Sequence, residues 1–238
     1  MPIINQRWPR DLSPETCTFG RTRNDVRQTS PVSRFSTVIR QGRPLWSAQI
    51  SWTMPNTDKL AKLRYWLENL DGFAGSAQIW DFASPYPYGL QLSAGSGEPE
   101  RIFWTYLANQ LPWTWNGVPS HWTLDATVIA AAASAGATSV AISGLQASTL
   151  AWVQGQYVQI GRRLYVAAST ATSDGSGNAT LTLSTPLVSA IGPGTPTRLV
   201  EAACEMELAD QNFSANATAG AGFVSVSATF IETVADKS

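Results

Sequence analysis

Histidine is the side chain most often recruited to move protons, and this chain holds one, His121, within Ser-His-Trp. Neither a Gly-x-Ser-x-Gly elbow nor a Cys/His ligand set accompanies it, so it reads as a structural hydrogen-bonder rather than a catalyst. The obvious carboxylate pairs are Glu98 with Glu100 and Glu205 with Glu207. Residues two apart in an extended segment share a face, with side chains roughly 7 Å apart. That spacing suits a glycosidase pair and suits an acidic edge strand equally well. Gly175 and Gly177 resemble part of a phosphate loop, but a strand pattern follows them and no Lys-Ser/Thr pair does, so they mark a turn. Cys17 and Cys204 have no metal-ligand spacing and read as two buried thiols in a reducing compartment, with a bridge between them left open. Asn178, Asn212 and Asn216 begin Asn-x-Ser/Thr triplets, which carry no meaning in a cytoplasmic protein. No catalytic, cofactor-binding or metal-ligating set emerges. The chain is expected not to be an enzyme.

A denser signal is aromatic. Trp104, Tyr106, Trp113, Trp115 and Trp122 fall within nineteen residues, interrupted by Pro112 and Pro119. Trp faces exposed on a loop stack well on sugar rings. Buried together, the same rings would form the core at a junction between two modules. Trp104, Trp113, Trp115 and Trp122 are therefore candidates for glycan binding or for that junction.

Charge is the third signal. Only 14% of residues are charged, against 44% hydrophobic, where an ordinary soluble domain has about 25% charged. A surface so poor in charge suits contact with other subunits, and ten tryptophans add to that. The net charge of −1 hides a division. Residues 1–43 hold eight arginines against Asp11, Glu15 and Asp25, for +5, while the remainder carries eight basic and fourteen acidic residues, for −6. Scattered arginines without interleaved aromatics argue against nucleic acid. The bland reading is a solvated arm, and the sharper one is an arm lying on an acidic neighbouring subunit, with Arg21, Arg23 and Arg27 as its contacts. The first residues lack the apolar core of a signal peptide, and no stretch reaches the roughly 20 apolar residues of a membrane span, so a cytoplasmic origin is expected.

These features require elements to hold them. Residues 1–32 lack a clear period and read as an arm with at most short strands. Residues 34–40 lead into a turn at 41–44, after which Trp46, Ala48, Ile50, Trp52 and Met54 alternate with polar residues, so the two segments read as a β-hairpin. Pro55 ends the strand. Leu60, Leu63, Leu67 and Leu70 then fall on one face of a helix over about 57–71, with Trp66 beside them and Gly72 at its end. A strand follows at 77–82 and rigid turns at 84–89. From 123 to 200 the chain turns rich in Ala, Ser, Thr, Val and Gly, with short strands at 138–142, 156–160, 163–169 and 179–184 and a turn at 174–178. Strands at 201–208 and 223–231 return to the earlier style, and the last needs a sheet to join. The expectation is a mainly β protein in which a β-sandwich domain with one amphipathic helix (1–122 and 201–238) carries a small β-barrel or sandwich inserted at 123–200.

PLWSAQISWTM, the helix NTDKLAKLRYWLENLDGFAG and the following AQIWDFASPYPYG together resemble the distal tail proteins of siphophages. GQYVQIGRRLYV at 155–166 and DGSGNATLTLSTPL at 174–187 resemble a small β module of minor tail proteins in phages and gene-transfer-agent particles. The resemblance implies a structural virion protein of the tail tip or baseplate. It would form a homo-oligomeric ring, a hexamer, that joins the tail tube protein to the central hub, fibres and other tail-tip proteins. DNA would pass through as cargo, no cofactor would be held, and the protein would reside in the virion tail after synthesis in the bacterial cytoplasm. The alternative is a carbohydrate-binding adhesion module that meets a host surface glycan. A third reading, a tail-associated glycan hydrolase, rests on the carboxylate pairs.

Overall fold

The computed structural model describes residues 6–9, 12–23, 26–29, 36–39, 42–55, 58–84, 101–103, 114–115, 118–119, 121–123, 127–145, 147–210, 214–217 and 222–233. They form a mainly β protein with several antiparallel sheets and, among the described residues, one α-helix. The chain divides into two compact units, Met1–Ile79 with Cys204–Ser238 and Trp80–Ala203.

The chain first passes through β1 (Gln6–Arg7), β2 (Thr16–Thr22), β3 (Val26–Thr29), β4 (Ser36–Ile39), β5 (Leu45–Pro55), α1 (Asp58–Asn69) and β6 (Ala77–Trp80). It continues through β7 (Arg101–Phe103), β8 (Thr114–Trp115), β9 (Val118–Pro119), β10 (His121–Thr123), β11 (Val128–Ile129) and β12 (Ser139–Ser143). Then come β13 (Leu150–Trp152), β14 (Tyr157–Ile160), β15 (Arg163–Val166), β16 (Ala171–Thr172), β17 (Ala179–Thr182) and β18 (Thr197–Arg198). It ends in β19 (Ala203–Leu208), β20 (Ser214–Ala217) and β21 (Phe223–Glu232).

The first unit is built on a seven-stranded sheet in the order β1-β6-β19-β21-β5-β2, with β20 also paired to β21. Its centre follows from two period-two patterns in register. In β5, Trp46, Ala48, Ile50 and Trp52 are buried, and in β21 so are Val224, Val226, Ala228 and Phe230. Antiparallel pairing sets Val226 opposite Trp52, Ala228 opposite Ile50 and Phe230 opposite Ala48, so the apolar rows merge into one face. Helix α1 buries Leu60, Leu63, Trp66 and Leu67, the spacing of one helical stripe. The Trp66 ring lies 6.1 Å from that of Phe230 and 5.0 Å from that of Trp8. Each buried Leu contributes about 1.5–3 kcal/mol by leaving water. The helix ends where Asp71 and Gly72 turn left-handed, at φ 48° and 59°, and the Gly75 N–H donates to the Leu70 carbonyl at 2.7 Å.

The strand pairing departs from the sequence expectation in two places. The N-terminal region is not an arm with at most short strands, because β2 is a seven-residue strand paired along its length with β5, from Thr16 opposite Ser51 to Thr22 opposite Leu45. Ahead of it, Trp8 is buried, stacks on Trp52 at 5.6 Å and donates from Nε1 to the Leu12 carbonyl at 3.0 Å. Nor does Ser36–Ile39, the described part of 34–40, form a hairpin with 46–54. β4 pairs with β3, while the two edges of β5 are taken by β2 and β21. The pairing partner of β5 thus lies beyond the nearest strand in sequence, because β3 and β4 satisfy each other.

In the second unit β11, β12 and β17 form one sheet, β15, β14 and β18 another, and β13 pairs with β16. A single core joins them, including Ile142, Trp152, Val158, Ile160, Leu181 and Leu187. None of the sheets among the described residues closes into a barrel. The turn at 174–178 is self-locked: Asp174 Oδ1 accepts the N–H groups of Ser176 and Asn178, both at 2.8 Å. Those bonds, that from Asn178 foremost, hold the Asp174 carboxyl below the ordinary carboxylate range. Gly177 sits at φ +75°, and a β-carbon there would lie 2.2 Å from the Leu145 carbonyl oxygen. Only glycine fits.

Candidate subunit-contact surface

The alternation that buries one face of β5 and β21 leaves the other face outward, and it is chemically unusual. Thr16, Thr18, Gly20 and Thr22 of β2 lie across from Ser51, Gln49, Ser47 and Leu45 of β5. On the far side of β5, Thr53, Ser51, Gln49 and Ser47 pair with Ser225, Ser227, Thr229 and Ile231 of β21. Three strands therefore present an outward face of hydroxyls and one amide, with Leu45, Ile231 and Phe223 among them and no charged side chain. Neighbouring hydroxyls bond to one another: Thr16 with Ser51 at 2.6 Å, Thr22 with Ser47 at 2.8 Å and Thr53 with Ser225 at 3.3 Å. These cross-strand pairs knit the face without any need for salt bridges. Charge first returns at Glu207 of β19, opposite Ile231.

The face has a depression. Gly20 supplies no side chain between Thr18 and Thr22, and a β-carbon built there would meet no heavy atom within 4 Å. A cavity of about 340 Å³ opens at this point, lined by Thr18, Gly20, Arg21, Thr22, Ser47, Gln49, Thr229 and Ile231 among others.

The charges placed by sequence on the arm lie elsewhere. Arg21 alternates with Gly20 and Thr22, so its side chain belongs to the other side of the sheet. Its guanidinium carbon sits 4.3 Å from the centre of the Trp46 ring, which also stacks on Phe19 at 5.4 Å. Arg21 is thus part of the fold of the first unit. Arg23 is exposed just past the end of β2, and Arg27 lies in β3. The three are not gathered into one described site. Near Trp46, the carboxylate of Glu232, 2% exposed, accepts from Arg43 Nη1 at 2.9 Å and from the Trp46 N–H at 3.2 Å. This clasp ties the start of β5 to the end of β21.

Trp104, Trp113, Glu98 and Glu100 lie outside the described residues. Trp115 sits in β8 opposite Val118, and Trp122 in β10 opposite Ile102, beside His121 opposite Phe103. Glu205 is buried, and its Oε1 accepts the Ser76 hydroxyl at 2.5 Å. A carboxylate so enclosed holds β19 to the segment before β6; its neighbour two residues on, Glu207, is half-buried. Cys17 is half-buried and Cys204 buried, and no disulfide joins them. Among the described residues no group of three or more His, Cys, Asp or Glu could hold a metal ion. No helix among them is long and apolar enough to cross a membrane.

The outward hydroxyl face was the feature hardest to find from sequence. Its signal is the polar half of each alternation, Ser47-Gln49-Ser51-Thr53 and Ser225-Ser227-Thr229, which reads as ordinary solvent exposure until register sets the rows side by side. The chain matches no protein-family model, and no curated protein matches it significantly.

Proposed function

We propose that this chain is a structural protein of a bacteriophage tail tip or baseplate, a β-sandwich ring domain carrying an outward β module, whose copies join into a ring between the tail tube and the central hub. The observation that carries this reading is the uncharged hydroxyl face over β2, β5 and β21, in a chain with only 14% charged residues. A face without charge gives up no charge hydration when a neighbour covers it, and its hydroxyls both donate and accept hydrogen bonds across the contact. Interface cores are depleted in charge for this reason. The resemblance of about 43–92 and 150–190 to distal and minor tail proteins supplies the setting: a virion tail, neighbours in the tube and hub, and DNA as passing cargo.

Native mass spectrometry of the full chain tests the ring. A closed oligomer of defined copy number supports the reading, while a monomer at every concentration contradicts it.

A further inference from the structure

We propose that the ring closes head to tail, with Tyr65 of one copy entering the Gly20 depression of the next; this rests on the ring reading above. The two features lie on opposite sides of the first unit. Helix α1 turns its Leu stripe and Trp66 to the apolar face of the sheet, and Tyr65 stands 69% exposed on the helix away from that stripe. The depression opens on the other, hydroxyl-bearing face of the same sheet. A knob and a hole on opposite sides make a heterologous contact, which repeats from copy to copy and forms a ring where the rotation between copies closes.

The chemistry matches as well. An aromatic ring over Gly20 and Ile231 meets Cα–H and aliphatic surface, while its phenol reaches a rim of Thr18, Gln49 and Thr229. Tyrosine, with an apolar body and a group that both donates and accepts, suits a hole with a soft floor and a hydroxyl rim. At about 340 Å³ the hole has room for the ring. The competing knob is Phe223, 49% exposed at the start of β21. It belongs to the same face as the hole, so its use would pair two copies about a two-fold axis and stop at a dimer. It also offers nothing to the rim.

The experiment uses two variants of the full chain, alone and mixed. Gly20→Val fills the hole with a strand-favouring side chain in open space, and Tyr65→Ser removes the knob from an exposed helix position. Both should keep the wild-type melting temperature. Each alone should assemble at least about tenfold more weakly, as loss of a central aromatic contact does. Mixed in equal amounts, the two should form a dimer containing one of each, because the mixture holds one intact knob with one intact hole. Variants that assemble like the wild type would overturn the inference and leave the ring reading standing. So would a mixture that stays monomeric while the wild type forms a ring. A wild-type dimer that is lost on Phe223→Ser would overturn it in favour of two-fold pairing. A wild type that never assembles would remove the ring reading and this inference together.

Discussion

Glu232→Ala should be among the most damaging single changes in the first unit, and its size can be worked from the contacts. The carboxylate is 2% exposed and serves two donors, Arg43 at 2.9 Å and the Trp46 N–H at 3.2 Å. Arg43 is 34% exposed, so its guanidinium regains water once the carboxylate goes, and that interaction is worth under about 1 kcal/mol. The Trp46 N–H cannot rehydrate, since its residue is buried. A buried donor left without an acceptor costs about 1–3 kcal/mol, and the lost methylene adds about 0.8 kcal/mol. Glu232→Ala should therefore cost roughly 2–4 kcal/mol. Glu232→Gln keeps an acceptor for Trp46 and loses only the charge, so it should cost about 1 kcal/mol. Urea unfolding followed by tryptophan fluorescence reads both, provided the slope m stays unchanged. If Gln proves as costly as Ala, the clasp works through charge and the argument from the buried N–H fails. If Ala costs less than about 0.5 kcal/mol, the range of an ordinary surface change, the clasp is not part of the stability at all.

The helix face gives a second test: Leu63→Ala or Leu67→Ala should cost about 2–5 kcal/mol, and exposed Lys59→Ala under about 0.5 kcal/mol, in the same unfolding assay. Gly177→Ala should destabilise the second unit by at least about 1–3 kcal/mol, since it combines a left-handed backbone with a clash on the Leu145 carbonyl; calorimetry should show its transition move. Asp174 has a folded-state carboxyl pKa below its ordinary 3.8, so its contribution is present above that value and lost as pH falls through the lowered one. The difference in melting temperature between wild type and Asp174→Ala should therefore be full near neutrality and shrink only below about pH 3.8. Arg21→Gln should lower stability by about 0.5–1 kcal/mol through loss of its seat on Trp46, while Arg23→Gln should change nothing in a melt.

Much of the first unit could be read in advance because its signals are strong and local. The alternation through Trp46–Met54 and Val224–Phe230, and the Leu stripe of α1, each name a buried face without reference to any distant residue. The sheet pairing of the last strand followed from the same logic, because an alternating apolar row must meet another. β2 was missed for a physical reason. Its inner positions are Cys17, Phe19 and Arg21, half-buried at the edge of the sheet, so there is little apolar contrast for a period to show. Arg21 added a false cue: its charge suggests a solvated arm, yet its planar guanidinium packs on an indole. The hydroxyl face was invisible because it arises from register between strands about thirty and about 175 residues apart, which no local window contains. In the second unit the short strands were legible from their turns, the Gly177 bend above all, although the number and closure of the sheets depend on pairings between such short segments.

Electron microscopy of phage particles marked with a gold-labelled antibody against this chain tests the central claim most directly. A ring-forming tail-tip protein should place the label at one end of the tail, around its axis, in several copies per particle. Particles that carry no label, or carry it on the head or along the whole tail, would contradict the account.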